Sequence, residues 1–283
     1  MAKASMAPAR KKKLKTLFSR MNRQNNRFFM NAPPLLEAMD MVLSAEELDY
    51  LLKLGTGTHD YESARQKSRM PEVTFGPFFE TLLKKGFVHP RPDETGRDWY
   101  QLNAIAVGWF ETQVHYLNGK PEEAAFSRKF SEYMAYFRRF NVAPLRGVQN
   151  TVLKPLLRPT QSVGFMTSDT ASKDKRTIPI NTEAAAPDSY VYPTSTVNDL
   201  IEAFDRQEGI YVFPCVCRHM AGVIDRHCRH NIPEEACIVF GDAARQWASH
   251  GYGRKISNNE AFEILESVRE KGAMHNVIHE KDD

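Results

Sequence analysis

The four cysteines of this 283-residue chain are confined to one short stretch. Cys215, Cys217, Cys228 and Cys237 lie within 23 residues in the order C-x-C-x10-C-x8-C, and the other 260 residues contain no cysteine. Thiolates prefer zinc and iron-sulfur clusters to hard cations, and four of them complete the coordination of a structural zinc or of a 4Fe-4S cluster. The spacing therefore predicts one thiolate-ligated metal site.

Other interpretations of these cysteines remain open. Disulfides need an oxidising compartment, and the basic N-terminus is not followed by the apolar run of a signal peptide. Zinc sites usually begin with C-x2-4-C, whereas this stretch begins with C-x-C. Unrelated core thiols would be scattered along the chain. We therefore expect a 4Fe-4S cluster with all four cysteines as ligands, and zinc is the alternative metal.

The segments around the cysteines have recognisable patterns. Residues 209–213 are rich in β-branched and aromatic side chains, which predicts a buried strand that ends at Pro214. The first two cysteines are therefore expected in the loop beyond that strand. One proline and two acidic residues at 233–235 predict the first turn of a helix from Pro233 to Ser249. This helix would carry Cys237 on its second turn.

The segment from Ser44 to Leu102 has the pattern of a winged helix. Its third predicted helix carries acidic and aromatic side chains, with lysines only near its end, so it offers a poor surface for DNA phosphates. DNA binding by this module is therefore not expected. The predicted elements are a capping box of Ser44 and Glu47, a helix near Tyr61 to Lys67, a helix from Pro71 or Val73 to Lys85, and a hairpin of residues 87–89 with 99–102.

The basic charge is concentrated at the N-terminus. Residues 1–36 contain nine Lys or Arg and no acidic residue, although the formal net charge of the whole chain is only +3. Four apolar residues recur there at helical spacing, which predicts a basic amphipathic helix from Lys11 to Arg23, with a disordered tail as the alternative. In either form we expect residues 1–36 to be separate from the body. An amphipathic helix of this kind can contact an anionic surface or dock on an acidic partner, whereas a disordered tail would only keep the chain in solution. The apolar residues are Leu14, Leu17, Phe18 and Met21.

The chain is expected to adopt an α+β fold, mostly helical, with a winged-helix domain, a helical connector and a small α/β iron-sulfur domain. No apolar run is long enough to span a membrane. Motifs for nucleotide cofactors, zinc peptidases and serine hydrolases are absent from the sequence, so no catalytic residue is predicted. The expected segments are a basic tail 1–36, a winged-helix-like domain 37–103, a helical connector 104–157, an extended linker 158–189 and a cluster-binding domain 190–283.

A series of short motifs runs through the C-terminal half: Tyr190 to Pro193, Pro214 to Arg218, Cys237 to Ala244, and Gly253 to Ser257. This series resembles a family of anaerobe 4Fe-4S proteins with a winged-helix-like N-terminal half and a C-terminal cluster domain. The resemblance covers about Val42 to His275. The spacing from Cys228 to Cys237 is longer than in that family, and the extra ferredoxin module of some relatives is absent.

The resemblance implies a cytoplasmic electron-transfer subunit of an anaerobic oxidoreductase complex. Its expected partners are redox subunits that hold flavin, molybdenum or tungsten, or further iron-sulfur clusters, since the chain has no second cofactor motif. One alternative is a winged-helix transcriptional regulator with a metal-sensing site. A second alternative is a structural assembly subunit held together by zinc.

Overall fold

The computed structural model describes residues 6–25, 29–140, 161–165, 201–202, 209–228, 230–272 and 275–279. These ranges are mostly helical with small antiparallel sheets, which confirms the α+β class. The chain divides into two compact units, one of Met1–Arg158 with Met220–Arg226 and one of Pro159–His219 with His227–Asp283. No helix within the described ranges has both the length and the apolar character needed to cross a membrane.

The first unit consists of helices and one hairpin. Its β-strands pair antiparallel, with Val88 opposite Leu102. A bridge between His59 and Tyr100 joins the loop before the fourth helix to this hairpin. The elements are α1 (Pro8–Gln24), α2 (Pro33–Val42), α3 (Ala45–Leu54), α4 (Tyr61–Ser68), α5 (Glu72–Lys84), β1 (Val88–Pro92), β2 (Asp98–Leu102), a π-helical turn (Ile105–Trp109), α6 (Phe110–Leu117) and α7 (Glu123–Phe140).

Several of these elements confirm the sequence predictions. The Ser44 hydroxyl accepts the Glu47 N–H at 3.1 Å, and the Glu47 carboxylate accepts the Ser44 N–H at 2.7 Å, so the capping box is present at the start of α3. The next two predicted helices are α4 and α5, and the predicted hairpin is β1 with β2. The predicted helical connector 104–157 begins with a π-helical turn, and its first α-helix starts at Phe110.

Helix α1 belongs to the core of the first unit, so the prediction of a separate basic tail is wrong. The helix itself is confirmed, but its apolar stripe packs on α2 and α3 and is at most 2% exposed. Lys13 pairs with Asp49 at 2.5 Å, and Arg10 pairs with Asp40. The stripe is therefore covered by the chain's own helices and has no apolar surface left for a membrane or a partner. Its residues are Leu14, Leu17, Phe18 and Met21.

The second unit is built on a three-stranded antiparallel sheet in the order β5–β4–β6. A separate antiparallel pair joins β3 to β7. Strand β3 lies within the predicted linker 158–189, and the rest of that linker lies outside the described residues. The elements are β3 (Gln161–Phe165), β4 (Ile210–Pro214), α8 (Val216–Val223), which continues into the first unit, β5 (Glu235–Phe240), α9 (Gly241–Ser249), β6 (Arg254–Ile256), α10 (Asn258–Glu270) and β7 (His275–His279).

The two faces of the central sheet support separate apolar clusters. Alternate residues of a strand point to opposite faces. Ile210 and Val212 of β4 accordingly pack with residues of β6 and α10. Phe213 packs on the other face with Trp247 of α9. Strand β4 is therefore covered on both sides, which fixes the end of the strand that leads into Cys215.

The helix predicted from Pro233 to Ser249 is wrong in its first half. Residues 235–240 form β5, and the helix begins only at Gly241, where φ is +81°. Ile238 and Val239 are β-branched and favour a strand. Pairing with β4 gives this segment backbone hydrogen bonds along one edge, so tertiary contacts outweigh the helix-start signal of the proline and acids.

Candidate metal centre

The four cysteines occupy different local structures within the second unit. Cys215 follows β4 directly, and Cys217 lies in the first turn of α8 rather than in the predicted loop. Cys228 lies in the segment between α8 and β5. Cys237 lies on β5 opposite Phe213, not on a helix. All four are free thiols, and Cys217 is the exposed one.

Three of the sulfurs interact directly. The thiols of Cys217 and Cys237 hydrogen-bond to the Cys215 sulfur and hold the pKa of Cys215 far below its ordinary value, although burial opposes this shift. The bond to Cys215 and burial both raise the pKa of Cys237. The three thiols therefore titrate as one coupled group, in which the hydrogen bonds to Cys215 favour loss of the first proton and disfavour loss of the next.

Cys228 is held by a turn of the backbone. The N–H groups of His230 and Ile232 donate to its sulfur and lower the pKa of Cys228. Asn231, between these two donors, has a φ of +47°, in the left-handed region that allows the chain to turn back on itself. The charge of Cys215 in turn raises the pKa of Cys228, so the two sulfurs are within electrostatic range of each other.

Hydrogen bonds join the segment around Cys215 to the residues at the start of β5. The Cys215 N–H donates to the Glu234 carbonyl, and the His219 N–H donates to the Cys215 carbonyl, both at 2.8 Å. The Nδ1 atom of His219 lies 2.6 Å from Oε1 of Glu234. These contacts fix the segment around Cys215 against the start of β5, which carries Cys237.

A glycine keeps the sheet close beside the site. A Cβ atom at Gly253 would lie 2.3 Å from the Phe213 ring and 2.5 Å from the Val212 carbonyl oxygen. Real Cβ atoms do not approach backbone or ring atoms so closely. Only glycine therefore lets the turn before β6 pack against the end of β4.

The donor set fits a thiolate-ligated metal. Four soft sulfur ligands suit zinc or an iron-sulfur cluster, and the N–H bonds to Cys215 and Cys228 are the supporting contacts that such ligands need. Within the part of the chain that the structure describes, no three His, Cys, Asp or Glu side chains form a ready metal site. Hydrogen-bonded thiols point at one another, so ligation requires rotation of their side chains.

Sequence reasoning identified the thiols but not the hydrogen bonds that support them. Arg218 donates its backbone N–H to Cys215, and no motif marks that contact. The left-handed Asn231 had a weak signal, since asparagine tolerates positive φ better than most residues. The pairing of Glu234 with His219 depends on the strand position of β5, which the sequence did not predict.

Comparisons with protein-family models, with curated proteins and with solved structures give no match for this chain. The chemistry of the four thiols and their surroundings is therefore the basis for assigning a function.

Proposed function

We propose that Cys215, Cys217, Cys228 and Cys237 hold one 4Fe-4S cluster and that the chain passes single electrons within, or to, a larger anaerobic oxidoreductase complex. The observation that carries this proposal is the set of three interacting sulfurs with a fourth in electrostatic range. When bound, a 4Fe-4S cluster supplies one-electron transfer. The chain supplies four thiolates, and backbone N–H groups stabilise the charge on two of them.

The pKa shifts of the thiols support metal ligation. Metal ligands must be thiolates, and the low pKa of Cys215 provides the first one. Cys228 has a lowered pKa as well, because two N–H groups face its sulfur. The proton of Cys237 would be released on binding, since a metal ion competes with the proton for the sulfur. Drawing Cys228 toward the other three would complete the ligand set.

The first unit supports a docking role. Helices α3 to α5, the bridge at His59 and the hairpin follow the order of a winged helix, so we propose that module for this region. The start of α5 presents Glu72 and Val73, and Val73 is 82% exposed. Lys84, near its end, pairs with Glu80 at 3.4 Å. Phosphate contacts need available cations, so this surface suits a protein partner better than DNA.

That partner would be a redox subunit with flavin, molybdenum or tungsten, or further iron-sulfur clusters. One cluster accepts and passes on one electron and completes no reaction alone. The second redox centre must therefore lie on another chain.

Single Cys→Ser variants test the proposal. Iron and acid-labile sulfide are measured in anaerobically reconstituted wild type and in the variants of all four cysteines. Each variant is expected to lose most of its bound iron and sulfide, because serine is a poor ligand for iron in such clusters. The exposed Ser249→Ala in α9 is the matched control and should load like wild type. Normal loading of the Cys228→Ser and Cys237→Ser variants would contradict the proposal.

A further inference from the structure

Arg218 is a half-buried cation next to the cysteines. Its Nε and Nη2 atoms are buried, and neither has a hydrogen-bond partner among the described residues. Two buried guanidinium nitrogens without hydrogen-bond partners are costly, because they give up their hydration without replacement. A side chain in this condition needs an anion that completes its hydrogen bonds.

The surroundings of Arg218 are sulfurs. Its charge acts on Cys215, Cys228 and Cys237, and its backbone N–H donates to the sulfur of Cys215. The two acidic residues before Cys237 are engaged elsewhere: Glu234 contacts His219 at 2.6 Å, and Glu235 contacts Arg254 at 3.0 Å. The backbone of Arg218 therefore donates a hydrogen bond to one of the cysteines, and its side-chain charge acts on three of them.

We infer that Arg218 is the charge partner of the metal-sulfur centre and donates its free N–H groups to the sulfur atoms of that centre. This inference rests on the proposed function. Four thiolates around a cluster or a zinc ion leave a net negative charge, which an adjacent guanidinium offsets. Arg218 is a positioning residue and not a ligand. Its positive charge favours the reduced, more negative form of a cluster and so raises the reduction potential.

The test uses the full chain with Arg218→Gln and Arg218→Lys. Arg254→Gln is the matched control, because Arg254 lies on the same sheet but is bound to Glu235 and Glu260 at 3.0 and 2.6 Å. Iron and sulfide content and the midpoint potential are measured by redox titration under anaerobic conditions. We expect a more negative potential for Arg218→Gln, a smaller shift for Arg218→Lys and no shift for Arg254→Gln.

The outcomes separate this inference from the proposed function. A loaded Arg218→Gln variant with the potential of wild type overturns the inference and leaves the proposed function standing. If Arg218→Gln does not fold, the midpoint potential of Arg218→Lys decides, because lysine keeps the charge but loses the guanidinium fork. A more negative potential than that of wild type supports the inference, and an unchanged or more positive potential overturns it. If the wild type holds zinc, the proposed function fails, and the rate at which a chelator removes zinc decides instead. Faster removal from Arg218→Gln supports the inference, and an equal rate overturns it.

Discussion

At the residue scale, Glu47 shows how one side chain can hold several parts of the fold. Its carboxylate oxygens lie 2.7 and 2.9 Å from the Lys85 ammonium group, which also donates to the Val42 carbonyl at 2.8 Å. The side chains of the ion pair are only 13% and 8% exposed. The same carboxylate caps α3 through Ser44. Glu47 thus joins the start of α3, the end of α2 and the end of α5.

Replacing Glu47 with glutamine should destabilise the first unit by about 3 kcal/mol, because the Lys85 charge would stay buried without its partner. Glu46→Gln is the matched control, since Glu46 is the exposed neighbour in the same helical turn. Urea unfolding monitored by circular dichroism measures both. Equal stability of the two variants would show that the buried ion pair contributes little.

The residues of the site differ in how far the sequence predicts them. The thiols were found because clustered cysteines at close spacing have few structural explanations other than a metal. Arg218 was not assigned a contact, because its role depends on where the sulfurs lie in space. The same applies to Glu234, whose contact with His219 at 2.6 Å follows from the position of β5.

At the element scale, α1 and β5 show that a local sequence pattern can predict a helix but cannot predict which other segments pack against it or pair with it. The period of the apolar residues in α1 predicted a helix, and the structure confirms it. The pattern does not show that α2 and α3 cover this stripe, because that depends on contacts between distant segments. In β5 the local signal at Pro233 favoured a helix, and pairing with β4 favoured a strand.

The packing of α1 leads to a prediction that a separate tail would not. Leu17 is fully buried against the first unit, so Leu17→Ala should reduce the free energy of unfolding by about 2–5 kcal/mol. Lys12→Ala lies on the exposed side of the same helix and should change it by less than about 0.5 kcal/mol. Thermal unfolding of both variants gives the comparison. If Leu17→Ala is as stable as Lys12→Ala, α1 is not part of the core.

At the scale of the whole molecule, the chain folds as two compact units. The second unit contains all four cysteines and their supporting contacts. The first unit presents a helical surface with an exposed Val73 and few available cations at the start of α5. The α+β class was predictable because the sequence shows a run of helical patterns in the N-terminal half together with short, separate strand patterns. The assignment of Met220–Arg226 to the first unit was not predictable, since this segment groups with a part of the chain distant in sequence.

The metal content of the wild-type chain tests the central claim most directly. The full chain is purified without oxygen, and its iron, acid-labile sulfide and zinc are measured together with the absorption spectrum. Four cysteine ligands predict about four iron and four sulfide per chain, with broad absorption near 400 nm that bleaches on reduction by about one electron. Stoichiometric zinc without sulfide, or a chain that holds no metal under these conditions, would contradict the account.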